Sequence, residues 1–540
     1  MPKSSGASYK SGVKQRLSIG LLLLTVAIGV GAIFVPELLW GFVLLGPVLL
    51  LCAYDLLQKR HTILRNYPVV GHLRYMLEDA RHHIRQYLIQ GDKEGDPFTR
   101  PQRSVVYQRA KGVSDVQPFG TLEDVYQEGY EFIEHSILPA EVSGDPPRVW
   151  LGGEHCEAPY SASLLNISAM SFGSLSKNAL LALNGGARKG GFYHNTGEGG
   201  LSRYHLEPGG DVVWELGTGY FGACSEPGVF AAELFAEKSQ TPAVKMIELK
   251  LSQGAKPGGG GILPAAKVTQ DIAEARGVPI GKDVLSPARH STFNTPLELV
   301  AFIAELRRLS GGKPVGFKLC VGRTHEFMAV VKAMLATGIT PDFITIDGKE
   351  GGTGAAPLEM SNRVGLPLRE GLIFAHNALV GAGLRDKIRV IASGKIINAY
   401  DILRTLAMGA DVCNSARGMM FALGCIQARR CHANTCPTGV ATQDPWRMNG
   451  LVVSDKEERV YNYHKNTLKH LQKLLAACGL SDPSELGPEM LLRRVTPTTT
   501  SSYSEIFSYL EPGQLTESES LEPWYASAWQ QARADSFSRA

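Results

Sequence analysis

Residues 424–443 read GCIQARRCHANTCPTGVATQ and place Cys425, Cys431 and Cys436 within twelve positions, with a proline directly after the last. Three thiols this close, interleaved with Arg429, Arg430 and His432, suit a soft metal or an iron–sulfur cluster better than a packed core. Zinc would want a fourth nitrogen or sulfur ligand, which His432 could supply. Disulfides are the rival reading; an odd total of nine cysteines, in a chain expected to face the cytoplasm, argues against them. The plainest alternative is three small buried hydrophobes.

The other chemistry-bearing residues follow short apolar runs. Between about residues 161 and 418 such runs end in Gly, Ser, Asn or Asp and alternate with helical stretches. The pattern predicts strands over 164–168, 191–194, 212–215, 245–250, 315–319, 343–347, 389–393 and 411–415. Eight strands with crossovers close most simply into an α/β (β/α)8 TIM barrel. An open doubly wound sheet is the runner-up, but no GxGxxG follows the first strand. Barrel enzymes place their sites just after the strands, and polar residues and glycines bunch there. Ala169, Met170, Ser171 and Ser174 follow the first strand, and Asn195 opens NTGEGG after the second. SQGAKPGGGG follows the fourth, Lys318 lies on the fifth, and GKEGGTGAAP, with Gly351 and Gly352, follows the sixth. Ser393, Gly394 and Lys395 follow the seventh; Ser415, Ala416, Arg417 and Gly418 follow the eighth. One glycine run is most often a tight turn, whereas such clusters at seven strand ends describe a large glycine-lined mouth.

A phosphate held by backbone N–H groups after the last two strands is a recurring barrel device, and Gly394 with Ala416, Arg417 and Gly418 falls there. Lys318, inside the otherwise apolar VGFKLC, could put positive charge beside the N1/O2 edge of a flavin. The alternative is an ion pair with a neighbouring carboxylate, since an unpaired buried ammonium is costly. Cys425 follows residue 415 by ten positions, so its cluster could lie near the barrel mouth.

The elements that must carry this site begin with an apolar N-terminus. Residues 1–16 hold Lys3, Lys10, Lys14 and Arg16 with no acid; 17–35 and 38–54 are uncharged apolar runs separated by Pro36 and Glu37; Lys59, Arg60 and Arg65 come next. Positive charge at both outer ends predicts a transmembrane helical hairpin with both ends on the cytoplasmic side of the inner membrane. A buried soluble helix pair or a signal sequence is the alternative. The predicted division is a hairpin over 1–65, a linker and barrel entry segment over 66–147 with an amphipathic helix at 73–89, the barrel with its cysteine motif over 148–450, and a C-terminal helix and tail over 451–540. In the tail, 455–478 reads as an amphipathic helix docked on the barrel through Val460, Leu468, Leu471, Leu474 and Leu475. Residues 480–540, rich in Ser, Thr and Pro, are expected to be loosely ordered. A net charge of +3 over 540 residues demands no nucleic-acid partner.

Taken together, MSFGSLS, NTGEGG, QGAKPG, the KL of strand five, GGTGAAP and CHANTCPTGVATQ resemble the signatures of the synthase domain of glutamate synthase, over about residues 164–443. The resemblance implies FMN in the barrel and a [3Fe–4S] cluster on Cys425, Cys431 and Cys436. It also implies electron flow through the cluster to FMN, and hydride delivery to 2-iminoglutarate made from 2-oxoglutarate and ammonia, giving L-glutamate. By position, Ala169, Met170, Ser171, Asn195, Gln253 and Lys318 would meet flavin or substrate, with Lys318, Gln253 and Ser171 as the catalytic candidates. Gly351, Gly352, Gly394, Lys395, Ala416 and Arg417 would lie along the ribityl phosphate.

The departures are specific. The hairpin and linker stand where the family has a glutaminase domain, so no ammonia from glutamine hydrolysis is expected of this chain. The family's KPGEGG reads KPGGGG, with Gly259 in place of the acid, and the glutamate a few residues past Lys318 is missing near Gly322. Three functions are therefore in play. One is a membrane-tethered glutamate synthase-type oxidoreductase acting on CH–NH2 groups with free or partner-supplied ammonia. Another is a flavoenzyme for a different amine or oxo acid, as in the related methylamine–glutamate N-methyltransferase, and the third is a membrane redox relay. Each needs an electron-donor protein or pool that no nicotinamide motif identifies.

Overall fold

Apolar sequence without period-two alternation makes the N-terminal stretch helical. The structure, a computed structural model, describes residues 12–91, 94–142, 144–517 and 521–540, and it divides into two units, Met1–Pro97 and Phe98–Ala540. In the first unit α1 spans Gly12–Phe34, a 3-10 turn spans Pro36–Trp40, and α2 spans Gly41–Leu57. Gly41 faces Ile28 across a gap that would hold one methyl group, so the two helices fold back on each other. Among the described residues Pro36–Leu57 is the helix long and apolar enough to cross a membrane, and the apolar part of α1, Ile19–Phe34, is shorter. The helix expected at 73–89 is present as α3, Gly71–Ile84, continued by a π-helical turn, Arg85–Ile89.

The second unit is built on a closed barrel of eight parallel strands. They are β1 Leu165–Ile167, β2 His194–Asn195, β3 Val212–Leu216, β4 Val244–Lys250, β5 Val315–Leu319, β6 Phe343–Asp347, β7 Arg389–Ser393 and β8 Val412–Ser415. All eight predicted strands are in it, neighbouring one another in chain order, with β8 closing against β1.

Alternation along each strand sorts the side chains. Val315 and Phe317 of β5, Trp214 and Leu216 of β3, and Ile344 and Ile346 of β6 point out into the main core under the surrounding helices. Tyr193, Val213, Met246, Phe343, Ile391 and Val412 point in and form an apolar floor with Leu151 and Tyr160, from the strand pair Arg148–Leu151 and Tyr160–Ser163. Gly316 is bare because a Cβ there would sit 2.5 Å from the Phe343 ring that fills this floor. One inward step further along the strands the lining turns polar: Asn195, Glu215, Glu248, Lys318, Thr345 and Asn414 are all buried there.

Three helices outside the barrel matter to the site. Helix α4, Arg100–Lys111, is opened by a Thr99–Gln102 capping box and closed by Gly112. Helix α5, Lys177–Gly190, is the β1-to-β2 crossover. The expected docking helix is α6, Val453–Ala477, which buries Val460, Leu468, Leu471 and Leu475 and packs against both α4 and α5.

The barrel entry segment belongs to the barrel unit from residue 98 on, where Glu131–Ile133 pairs with Leu491–Thr496 in a three-stranded antiparallel sheet. The C-terminal segment is folded as well. Glu131 receives Arg369 at 2.5 Å, Arg404 at 2.8 Å and the Tyr503 hydroxyl at 2.6 Å, while Tyr525 stacks on Phe374 at 5.4 Å and its hydroxyl accepts from Asn377 at 2.6 Å. Composition misleads here because a few residues, Leu491, Tyr503, Leu510, Leu515 and Tyr525, bury themselves in the main core.

Candidate functional site

The polar layer and the loops above it enclose a cavity of about 530 Å³, including its open mouth. Of the residues predicted from sequence, Ala169, Gln253, Lys318, Gly351, Gly352, Gly394, Lys395, Ala416 and Arg417 line it. Met170, Ser171 and Asn195 stand outside that lining: Met170 N–H donates to the Asn195 carbonyl at 3.0 Å, Ser171 Oγ–H donates to Ser174 Oγ at 2.9 Å, and Asn195 Nδ2–H donates to Glu248 at 2.7 Å. Phe98, Ser168, Asp347 and Asn414 line the cavity without having been named as candidates.

Backbone contact between loops explains part of the glycine clustering. A Cβ on Gly254, after β4, would lie 1.7 Å from the Gly348 carbonyl oxygen after β6. Its N–H donates to Asp347 at 2.7 Å, and Ser393 Oγ–H donates to the other Asp347 oxygen. Three strand ends are thereby tied around one carboxylate.

Lys318 settles one sequence alternative in both directions, since it lines the cavity and is also ion-paired. Its Nζ contacts Glu215 directly and lies 3.5 Å from Glu248. Register puts the groups together, because Glu215 of β3 is level with Glu248 of β4, and Lys318 of β5 with Lys250 of β4. Glu248 is satisfied on its other side by Asn195 and by Thr345 Oγ1 at 2.6 Å. Burial works against the Lys318 ammonium, yet Glu215, Glu248 and Asp347 together hold it protonated. Burial pushes the Glu215 carboxyl up to about 7 against the pull of Lys318 and Lys250, with Glu248 adding to the rise. One ammonium thus stands between two buried carboxylates, Glu215 and Glu248. Glu215 and Glu248 escaped the sequence reading; the available signal was a single carboxylate inside each of the apolar runs VVWEL and VKMIELK.

A second charged group lies over β4. Glu198, from NTGEGG, sits 3.0 Å from Lys250 Nζ, which also donates to Gln253 Oε1 at 2.6 Å. Burial alone would raise the Glu198 carboxyl, but Lys250, Lys256 and Arg276 hold it down at about 2. Burial lowers Lys256, and it lowers Arg276 to about 10. Three cations thus face one carboxylate. A Cβ on Gly259 would lie 2.9 Å from the terminal methyl of Met360, a side chain free to give way.

Past β7 and β8, Gly394 has φ 148° and Lys395 φ 53°. Burial lowers the Arg417 guanidinium to about 10. Both cations lie over the Phe98 ring, the Arg417 guanidinium 4.7 Å and Lys395 Nζ 5.9 Å from its centroid. Phe98 N–H donates to Gln427 Oε1 and Gln427 Nε2–H donates to the Phe98 carbonyl, both at 3.1 Å. Gln427 lies in the cysteine loop, and the Tyr107 hydroxyl of α4 donates to the Cys425 carbonyl at 2.6 Å. The segment around α4, silent in the sequence, couples the cysteine loop to the cavity.

All nine cysteines are free thiols. Burial pushes Cys425 up to about 12 and raises Cys431, and in each case the neighbouring cysteines add to the rise. The three thiols therefore feel one another's charge. The buried Lys267 ammonium donates to the Cys431 carbonyl at 2.7 Å, and Gln427 N–H points at Cys425 Sγ at 3.4 Å. A buried cation and an N–H aimed at sulfur suit thiolates. Among the described residues no three His, Cys, Asp or Glu side chains converge as ligands of one metal ion, and His432, the suggested fourth zinc ligand, is exposed. With His432 exposed, the three cysteines lack the fourth ligand that a closed structural zinc site needs.

Comparison with known proteins adds identity to this geometry. The family described as a conserved region in glutamate synthase matches residues 147–481. The glutamate synthase large subunit-like protein YerD of Bacillus subtilis (strain 168) is 38% identical over 515 residues, covering 88% of this chain and 96% of its own. The archaeal-type glutamate synthase [NADPH] of Thermotoga neapolitana is 34% identical over 58% of this chain, which spans 59% of that protein. The archaeal glutamate synthase [NADPH] of Methanocaldococcus jannaschii is 33% identical, and this chain spans 60% of it. Among solved structures, mandelate oxidase with (S)-2-phenylpropionate aligns with 74% of this chain and 98% of its own at 13% identity and a TM-score of 0.41, too loosely to argue from.

Proposed function

The chain belongs to the glutamate synthase family, and from that membership we propose that it is a membrane-tethered FMN and iron–sulfur oxidoreductase that reductively aminates 2-oxoglutarate, or a close 2-oxo acid, with free ammonia. As a member it is an oxidoreductase of the class acting on CH–NH2 groups. The observation that carries the finer reading is a juxtaposition: a protonated lysine in a cavity whose lining also holds Lys395 and Arg417, with the cysteine loop tied to Phe98 of the same lining.

Ala169, Gln253 and Lys318 would meet the flavin ring; Gly394, Lys395 and Arg417 would meet its phosphate; Cys425, Cys431 and Cys436 would hold the cluster. Bound there, FMN would supply hydride to the substrate carbon and the cluster would supply single electrons to the flavin. Lys318 keeps its positive charge because two carboxylates share it, and how much of that charge the wall presents depends on whether Glu215 is ionised. Lys250 fixes the Gln253 amide before any substrate arrives. Lys250, Lys256 and Arg276 exceed the single negative charge of Glu198, a surplus that suits a dicarboxylate. The hairpin would anchor this machinery to the inner membrane with the barrel on the cytoplasmic side.

Gly259 favours a second reading, a different amine in place of ammonia, because the acid expected in that loop is replaced by glycine. One experiment separates these. Reduced, FMN-loaded protein is mixed anaerobically with 2-oxoglutarate and 15N-ammonia, then with methylamine, while flavin absorbance is followed. Rapid reoxidation with labelled glutamate supports the first reading, and reoxidation by methylamine alone supports the second. No reoxidation by either would refute both and leave a redox relay.

A further inference from the structure

We propose that α3 and the π turn that extends it, residues 71–89, lie in the headgroup layer of the membrane and bind anionic lipid there; the inference rests on the reading of α2 as a membrane span.

Position comes first. Asp55, in the last turn of α2, is fully buried, accepts the Val69 N–H at 2.8 Å and lies 2.9 Å from His72 Nε2. Gly71 packs so tightly on Leu64 that a Cβ would lie 3.3 Å from the Leu64 Cα. These contacts fix the start of α3 to the end of the apolar helix Pro36–Leu57. If that helix crosses a bilayer, α3 begins at the bilayer surface.

Chemistry comes second. Leu73, Met76 and Leu77 are 50%, 60% and 49% exposed, and Leu88 in the π turn is 80% exposed. Residues 73, 77 and 84 lie on one side of a helix that turns about 100° per residue. Arg74, Arg81 and Arg85 follow one edge of that side, at spacings of seven and four, and line a continuous shallow groove with Leu73, Leu77 and Ile84. Glu78, 3.4 Å from Arg81, is the acid in that groove, so the edge is net positive. An exposed apolar side bordered by long cationic side chains matches the boundary between acyl chains and phosphates: the leucines enter the apolar zone while the guanidinium groups reach the phosphates.

The test uses the full chain, reconstituted into vesicles of phosphatidylcholine alone or with phosphatidylglycerol, and reads amide hydrogen exchange peptide by peptide. Each arginine near an anionic surface is worth about fivefold in binding, so exchange at 71–89 is expected to slow at least about tenfold when phosphatidylglycerol is present. The Arg74→Glu, Arg81→Glu, Arg85→Glu variant should lose that slowing, while barrel peptides exchange as in the unaltered protein and show that the fold is intact. Equal exchange in both vesicles overturns the proposal. Protection that survives the triple substitution also overturns it, and assigns the face to a protein partner or a second copy. Alkaline extraction of the same vesicles separates the two readings: protein that stays bound with a lipid-insensitive helix refutes this inference alone, whereas protein that washes off refutes the membrane span beneath it.

Discussion

Replacing Glu215 by Gln keeps the side chain's shape and removes one negative charge beside Lys318. Glu248, 3.5 Å from Lys318 Nζ and satisfied by Asn195 and Thr345, remains as counter-ion, so the variant should fold. With all three groups charged the triad carries one net negative charge, and the substitution makes it neutral. At an effective dielectric of about 20, a unit charge acting across about 6–8 Å is worth about 2–3 kcal/mol, and for a two-electron couple that is about 45–60 mV. Loss of negative charge favours the anionic reduced flavin, so the midpoint potential should rise. Because Glu215 titrates up to about 7, the full rise is expected at pH 8.5 and little of it at pH 5.5, where the carboxyl is already neutral. The same acid links stability to pH. Its folded pKa lies above the ordinary 4.5, so its contribution is complete below that value and is lost as pH rises towards about 7; Glu215→Gln should flatten that decline. The assay is an anaerobic spectroelectrochemical titration of FMN-loaded protein at both pH values. An unchanged potential at pH 8.5, a downward shift, or an equal shift at both would refute the reasoning.

Cys431→Ser should abolish the cluster's EPR signal and lower bound iron while leaving bound FMN in place; full iron retention would remove the cluster assignment. A reporter active only in the periplasm, fused after Arg65, should give no activity, and strong activity would reverse the proposed topology. Tyr525→Ala should lower stability by about 3–5 kcal/mol in denaturant titration, the range for deleting a buried aromatic; a change under about 1 kcal/mol would mean that the C-terminal segment does not hold the barrel.

The eight strands were legible because each is a local event: a few apolar residues bounded by glycine or a polar residue, alternating in and out as the chain extends. Even the boundaries 315–319, 343–347 and 389–393 are those of β5, β6 and β7. The mouth was legible for the same reason, since barrel topology delivers every strand's C-terminal end to one face. What the sequence could not order was anything set by lateral register or by packing between distant segments. Lys318 lies 103 positions from Glu215, and only closure of β3, β4 and β5 puts their side chains in one buried layer. Phe98 reaches Gln427 across 329 positions, because α4 docks on α6 and brings a polar-looking segment to the cavity. The C-terminal residues looked loosely ordered by composition, but Leu515 and Tyr525 are buried in the main core. Side-chain period and turn chemistry are written into neighbouring residues, whereas charge pairing and burial across hundreds of positions exist only once the barrel has closed.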